Sequence, residues 1–247
     1  MEPYLAVDSW LVEEGRARGM DLHRARFAGA VAGAGAAGRG AADVRRFLDA
    51  AVAALPRSGR WFPRVELVPG TGRAGELRLW VRPAPPRRVG VCVAALAHPD
   101  GRRSPTVKGP DLAWQAALRA MTGTGNEGEV LLALPDGAVG EGVWTSVLWW
   151  DGETLCALPA GAPVLDSVTR ALVLQLAGQA GVRVERRAPT LAHLRASETW
   201  LVNALHGIRP VTAWLAAPGA EAEPAAMTAG RAAGWQARLE ALSVPLV

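Results

Sequence analysis

Apolar and polar positions along the 247-residue chain divide it into helix-like and strand-like stretches. Residues 21–37 read as a helix with Asp21 as its N-cap, although its glycines weaken it. A second helix over 41–55 follows Gly38-Arg39-Gly40 and stops at Pro56. Three strands are expected next, over 64–68, 76–82 and 89–96, separated by the Val-Pro-Gly-Thr-Gly segment 68–72 and by Pro83-Ala84-Pro85-Pro86. Residues 98–106 are polar and rich in Pro, Gly and Arg, as in a linker. Pro110 suits the first position of a helix running to Met121.

The second half alternates strands and helices. A strand over 129–134 leads into the turn Pro135-Asp136-Gly137. Residues 147–150 and 154–158 read as a hairpin joined at Asp151-Gly152 by a type I′ turn. A helix over 166–178, strands over 182–187, 199–205 and 211–215, and a final amphipathic helix over 225–242 complete the pattern. No internal repeat is seen. The order predicts a mixed α/β (α+β) fold: a small N-terminal α/β domain over 1–100, a linker over 98–107 and a larger C-terminal domain over 108–247.

Composition narrows the function classes. Apolar residues make up 50% of the chain, which suits a packed core and argues against disorder. The formal charge is +4 and the pI about 10.0. The arginines are scattered, and short clusters such as Arg45-Arg46, Arg87-Arg88, Arg102-Arg103 and Arg186-Arg187 never extend into a basic stripe. Nucleic-acid binding is therefore not expected. Cys92 and Cys156 lie far apart in apolar runs and read as small buried hydrophobes. His23, His98, His193 and His206 lack metal-ligand spacing, so no metal is expected. With neither a transmembrane-length apolar run nor a signal-peptide start, no membrane association and a cytoplasmic location are expected.

One compositional asymmetry points to chemistry. Of the 27 lysines and arginines, Lys108 is the only lysine. Arginine can replace lysine in solubilising a surface or pairing with carboxylates. It cannot form an imine, because its guanidinium stays protonated. A single retained primary amine therefore suggests covalent chemistry. A GC-rich genome explains the scarcity of lysine but not the position of the one that remains.

Five segments follow one another around this amine: Leu22-His23-Arg24-Ala25-Arg26-Phe27; Val107-Lys108-Gly109; Val139-Gly140-Glu141-Gly142; Leu165-Asp166-Ser167-Val168-Thr169-Arg170; and Glu198-Thr199-Trp200-Leu201-Val202-Asn203-Ala204-Leu205, with Ile208-Arg209-Pro210-Val211 behind it. Each alone is weak. Together, in this order, they resemble the class IV (fold-type IV) pyridoxal-phosphate enzymes, which include branched-chain and D-amino-acid aminotransferases and 4-amino-4-deoxychorismate lyase. The resemblance runs from about Val7 to Trp214.

The resemblance implies pyridoxal 5′-phosphate as cofactor and a role for each segment. Lys108 would carry the cofactor and move the substrate's Cα proton. Glu141 would pair with the pyridine nitrogen, keeping it protonated. Arg26 would offer a charged fork to the phosphate. Val168 and Thr169 would offer the amides of a helix start and a hydroxyl. Asn203 and Ala204 would hold phosphate or substrate carboxylates, with Leu205 beside the substrate. Ser9, in Asp8-Ser9-Trp10-Leu11, offers a hydroxyl for proton relay. Arg82, with Arg78 on the same expected strand, could grip a carboxylate.

Departures from the family pattern bear on the substrate. The Gly-rich Asp-x-Gly-x-x-Tyr-Gly-Asp-Gly start is absent, the usual Ser-Asn pair is Thr145-Ser146, and the usual glycine before Val-Thr-Arg is Ser167. The only tyrosine is Tyr4. Asn203-Ala204-Leu205 resembles the lyases more than the Gly-Thr-Ala of branched-chain aminotransferases. The resemblance thus implies a homodimeric lyase acting on an amino-acid-like small molecule, in the manner of 4-amino-4-deoxychorismate lyase, releasing pyruvate and 4-aminobenzoate. The alternative is a class IV aminotransferase acting on branched-chain or D-amino acids.

Overall fold

A computed structural model describes residues 4–35, 40–70, 75–122, 128–226 and 230–246. Gly38, Arg39, Thr71, Gly72, the expected end of the first helix at 37 and part of the expected last helix lie outside these residues. The chain forms two compact units: Met1–Pro86 with Val107–Leu112 and Glu240–Val247, and Arg87–Thr106 with Ala113–Leu239.

In the first unit a three-stranded antiparallel sheet is ordered Ala6–Ser9, Arg64–Val68, Glu76–Trp80. Its pairs Ala6 with Leu67, Leu67 with Leu77, and Val65 with Leu79 share one pleated face, because side chains alternate along a strand. That face packs with Phe27 and Val31 of helix Met20–Gly33 and with Val44, Leu48 and Val52 of helix Ala41–Ala53. Short strands at Val12–Glu13, Arg16–Ala17, Arg60–Trp61 and Val244–Pro245 form a second small sheet. Asp21 is not the N-cap of the first helix. Gly19, at φ 59°, fills that position, and Asp21 falls in the first turn, where a carboxylate suits the helix dipole.

The second unit is built on a nine-stranded mixed sheet. Its centre is Ser146–Asp151, Glu198–Asn203, Gly207–Leu215, Val91–Pro99 and Glu129–Ala133, in that order, with Val139–Gly142 pairing both Glu129–Ala133 and Ser146–Asp151. Leu131, Val147, Leu201 and Val211 pack in one apolar cluster; Val130, Leu132, Val143 and Leu118 form another.

Several expected elements move. The hairpin strands meet at Asp151 and Thr154, so the turn residues are Gly152 and Glu153. Gly152 has positive φ while Glu153 does not, which excludes type I′, where both central residues need it. The expected strand over 199–205 ends at Asn203, and Ala204, Leu205 and His206 form the hairpin tip before Gly207 at φ 74°. The last helix is shorter, Ala232–Ala241, behind a strand at Ala222–Pro224. Residues 98–107, expected as a linker, begin in strand Val91–Pro99 and stay with the second unit as far as Thr106.

Candidate active site

In the first unit, chemistry gathers around a carboxylate in an apolar core. The register that puts Ala6 on the core face puts Asp8 there as well, and Asp8 is 0% exposed. A buried carboxylate needs partners. The first helix supplies them three residues apart, on one helical face. His23 Nδ1 lies 2.9 Å from Asp8 Oδ1. Arg26 donates from Nε to Oδ2 at 2.9 Å and from a terminal nitrogen to Oδ1 at 2.7 Å. The Ser9 amide adds a 2.6 Å bond to Oδ1. Burial pushes the Asp8 carboxyl up, but Arg26 and then His23 more than offset it, holding it well below the usual range. Burial keeps His23 below its ordinary value despite Asp8.

Lys108 is pinned beside this strand: its carbonyl accepts the Val7 amide at 2.7 Å. Gly109 makes the approach possible. Its φ is 139°, and a Cβ there would stand 3.1 Å from the backbone of Ala6 and Val7. Gly109→Ala is therefore expected to lower stability by about 1–3 kcal/mol, read by urea unfolding; a loss within the range of ordinary surface substitutions would contradict this. Lys108 keeps some surface accessible, yet enough protein surrounds it to pull its amine down to about 8. Burial is the main cause, followed by Arg26; Asp8 opposes, and Arg82 and Arg64 add to the depression.

Arg82 donates to the Phe62 carbonyl at 2.8 Å and lies over the Phe62 ring. Arg64 pairs with Glu66 and donates to the Tyr4 hydroxyl at 3.0 Å, which places the only tyrosine beside one of the cations acting on Lys108. Ser9 is buried, with Arg64 opposite it on the face of the sheet away from Asp8. Arg78 pairs instead with exposed Glu76.

In the second unit Glu141 lies buried in strand Val139–Gly142. Its Oε1 accepts from Arg102 at 2.7 Å and from the Leu165 amide at 3.0 Å. Burial pushes its carboxyl up to about 6 against the pull of Arg102. A Cβ on the following Gly142 would collide with the Thr145 hydroxyl and crowd Glu129. Glu129, which the sequence reading missed, accepts from Thr145 at 3.0 Å and from the Trp144 amide at 3.2 Å, fixing the chain after the Gly-Glu-Gly motif.

Leu165 leads to the helix Val168–Gln179. Ser167 caps it by accepting the Arg170 amide. Val168 and Thr169 are then the first two helical residues, whose amides a helix start leaves to outside acceptors. Asn203 Oδ1 accepts the His206 amide at 2.8 Å and so shapes the Ala204–His206 tip. His206 Nδ1 accepts from the Arg88 amide; burial, with Arg209, Arg87, Arg119 and Arg88 around it, takes it down to about 3, so it stays neutral.

The sequence-expected residues therefore fall into two sets: Lys108, Arg26, Ser9 and Arg82 in one unit, and Glu141, Val168, Thr169, Asn203, Ala204 and Leu205 in the other. Asp8 and Arg102 were missed as site residues. An acid in the same short strand as Ser9 was the only available signal for the first; for the second there was none. Among the described residues no helix is long and apolar enough to cross a membrane.

Comparisons with known proteins bear on the fold and the family. A stretch of 85 residues is 32% identical to aminodeoxychorismate lyase of Bacillus subtilis, covering 34% of this chain and 29% of that enzyme, so the match spans under a third of the curated relative. The fold matches 4-amino-4-deoxychorismate lyase from Pseudomonas aeruginosa at a TM-score of 0.72 and 24% identity, over 96% of this chain and 90% of the other. It matches a pyridoxal-phosphate-bound hypothetical aminotransferase from Mycobacterium tuberculosis at 0.77 and 20%, over 96% and 88%. A fold IV transaminase from Curtobacterium pusillum gives 0.76 and 21%, over 96% and 84%. These likenesses establish a fold-type IV architecture. Residues 5–214, most of the chain, match the family described as amino-transferase class IV, and the chain belongs to that family of enzymes.

Proposed function

We propose that this enzyme uses pyridoxal 5′-phosphate and acts as a lyase of the 4-amino-4-deoxychorismate type, releasing pyruvate and 4-aminobenzoate. The observation that carries the cofactor reading is Lys108: the only side-chain primary amine, held among Arg26, Arg82 and Arg64, with its pKa drawn down to about 8. The remaining expected residues suit the same group. Glu141 is a buried carboxylate for a protonated ring nitrogen, and Val168 and Thr169 begin a helix that suits a phosphate. Asp8 already takes two of Arg26's donors, so Arg26 would meet the phosphate as a held cation with part of its fork engaged.

Pyridoxal phosphate, when bound, supplies an aldehyde that condenses with amines and a ring that draws electrons from the carbon bearing the substrate amine. The chain's own residues do the rest. With a pKa near 8, about a tenth of Lys108 is neutral at pH 7, so Nζ can take a proton from the substrate Cα and return it. Glu141 holds a proton at the ring nitrogen. Arg82 and the Asn203–Leu205 tip orient substrate carboxylates, and the Ser9 hydroxyl relays protons.

The lyase reading is favoured by Asn203-Ala204-Leu205 and by the local match to aminodeoxychorismate lyase. The second reading is an aminotransferase for branched-chain or D-amino acids, supported by the transaminases that share the fold. Both readings expect a homodimer. One experiment tests both levels. Borohydride added to the protein with pyridoxal phosphate is expected to fix a pyridoxyl group on Lys108, found by peptide mapping. Aminodeoxychorismate should then turn over without a keto-acid acceptor. A strict need for an acceptor would favour the aminotransferase, and no adduct at Lys108 would sink both readings.

A further inference from the structure

Residues 98–106 have the composition of a linker, yet they deliver a buried arginine to a carboxylate 39 residues away. The Asp100 amide anchors the segment to the Ala133 carbonyl at 3.2 Å. Asp100 then clamps Arg102: Oδ1 accepts from the Arg102 amide and Nε, and Oδ2 accepts from a terminal nitrogen at 2.6 Å. The other terminal nitrogen reaches Glu141 Oε1 at 2.7 Å and the Pro105 carbonyl at 3.4 Å. The side chains of Arg102 and Glu141 are 5% and 4% exposed. Among the described residues, both hydrogen bonds to Glu141 end on Oε1.

We propose that Arg102, clamped by Asp100, is a positioning residue that keeps Glu141 ionised and leaves Oε2 as the oxygen that receives the ring N–H of the cofactor. This rests on the reading of Glu141 as the ring's partner. The physical need is plain. A carboxylate taken out of water favours its neutral form, and a neutral carboxyl cannot hold a proton on a pyridine nitrogen by charge. The charged groups acting on Glu141 are Arg102 and, from the helix Val168–Gln179, Arg170, which is itself drawn toward exposed Asp166 at 3.4 Å. Of the two, only Arg102 is hydrogen-bonded to Glu141. Even with it in place, burial holds Glu141 at about 6.

The test needs no turnover. Infrared titration of the cofactor-free full-length protein, with Glu141→Gln as the spectral reference, should show the neutral carboxyl of Glu141 appearing with a midpoint near 6. In Arg102→Met that midpoint should rise by about one unit or more, a tenfold change in protonation. Affinity for pyridoxal phosphate, relative to wild type, should fall at pH 7 by about 2-fold for a one-unit rise and about 10-fold for a two-unit rise, and recover as pH rises and Glu141 ionises. Arg102→Lys should restore part of it. If Arg102→Met does not fold, Arg102→Gln, which keeps a hydrogen-bond donor but removes the charge, should shift the midpoint the same way. An unmoved midpoint, or an affinity loss equal at every pH as a merely structural role would give, overturns the proposal. Absence of a Lys108 adduct in the wild type would instead overturn the parent cofactor reading, and the Glu141 titration reports separately.

Discussion

Lys108→Met should make the cofactor-free protein more stable while abolishing borohydride fixation of pyridoxal phosphate. The two effects have one cause. The fold draws the Lys108 amine from 10.5 to about 8, mainly by burial, with Arg26 adding repulsion. At pH 7 the group is mostly charged, and the fold bears the cost of keeping that charge away from water. A shift of this size is worth about 3 kcal/mol at ~1.4 kcal/mol per unit. Lys108 retains some solvent contact, so a gain of about 1–2 kcal/mol is expected, or roughly 2–8 °C in Tm. The sign reverses nowhere but the size depends on pH. A depressed lysine contributes its full stability above about 10.5 and loses it as pH falls through about 8. The variant's advantage should therefore be largest at and below pH 7 and fade between 8 and 10.5. A Tm equal to or below wild type at pH 7, in a variant that folds normally, would mean that the amine sits comfortably charged and that the site is not strained toward chemistry.

Asp8→Leu should be among the most damaging single changes in the first unit. It fits the apolar surroundings, yet it leaves Arg26 facing a core from which its counter-charge has gone, and His23 without its acceptor. Removing one partner of a buried pair costs about 3–5 kcal/mol, because the other charge remains. Urea unfolding measures this directly. The loss should also be pH-dependent. Asp8 is held well below its ordinary value, so its contribution is present above about pH 4 and is lost as pH falls through the depressed value; the gap between wild type and variant narrows only in strong acid. A second readout concerns Lys108. Asp8 is the carboxylate that opposes the depression of that amine, so its removal should move the midpoint of amine labelling below about 8. Asp8→Asn, which keeps the shape, should move the midpoint the same way with a smaller loss of stability. A stability loss under about 1 kcal/mol together with an unmoved midpoint would show that Arg26 and Lys108 do not depend on Asp8.

Some of these residues are legible in the sequence and others are not. Lys108 stood out because arginine had replaced its kind everywhere else, and the order of motifs around it identified the family. Val168 and Thr169 were expected at a helix start and are there, because Ser167 caps the helix. Asp8 was passed over in favour of its neighbour Ser9. Which of two adjacent residues faces the core depends on the pairing of Ala6–Ser9 with Arg64–Val68, and a strand that short carries no readable alternation. Arg102 falls in a short basic cluster within an expected linker, since Pro, Gly and Arg together look like a linker whether or not the arginine finds a buried acid.

What the sequence determined by itself is local chemistry and its order: one primary amine, an acid between glycines, a His-x-x-Arg step on one helical face, and turn residues at element ends. Those follow from residue type and short spacing, which act over a few residues. Only the tertiary structure decided which charges are buried together. The pairing of Asp8 with His23 and Arg26, the grip of Arg102 on Glu141, and the turn at Gly152 and Glu153 each depend on strand register or on contacts between distant segments. A one-residue slip in register would exchange the faces of every side chain on a strand and dissolve them. The chemistry of this enzyme is written in its residue types, and the protonation states that chemistry requires are set by the fold.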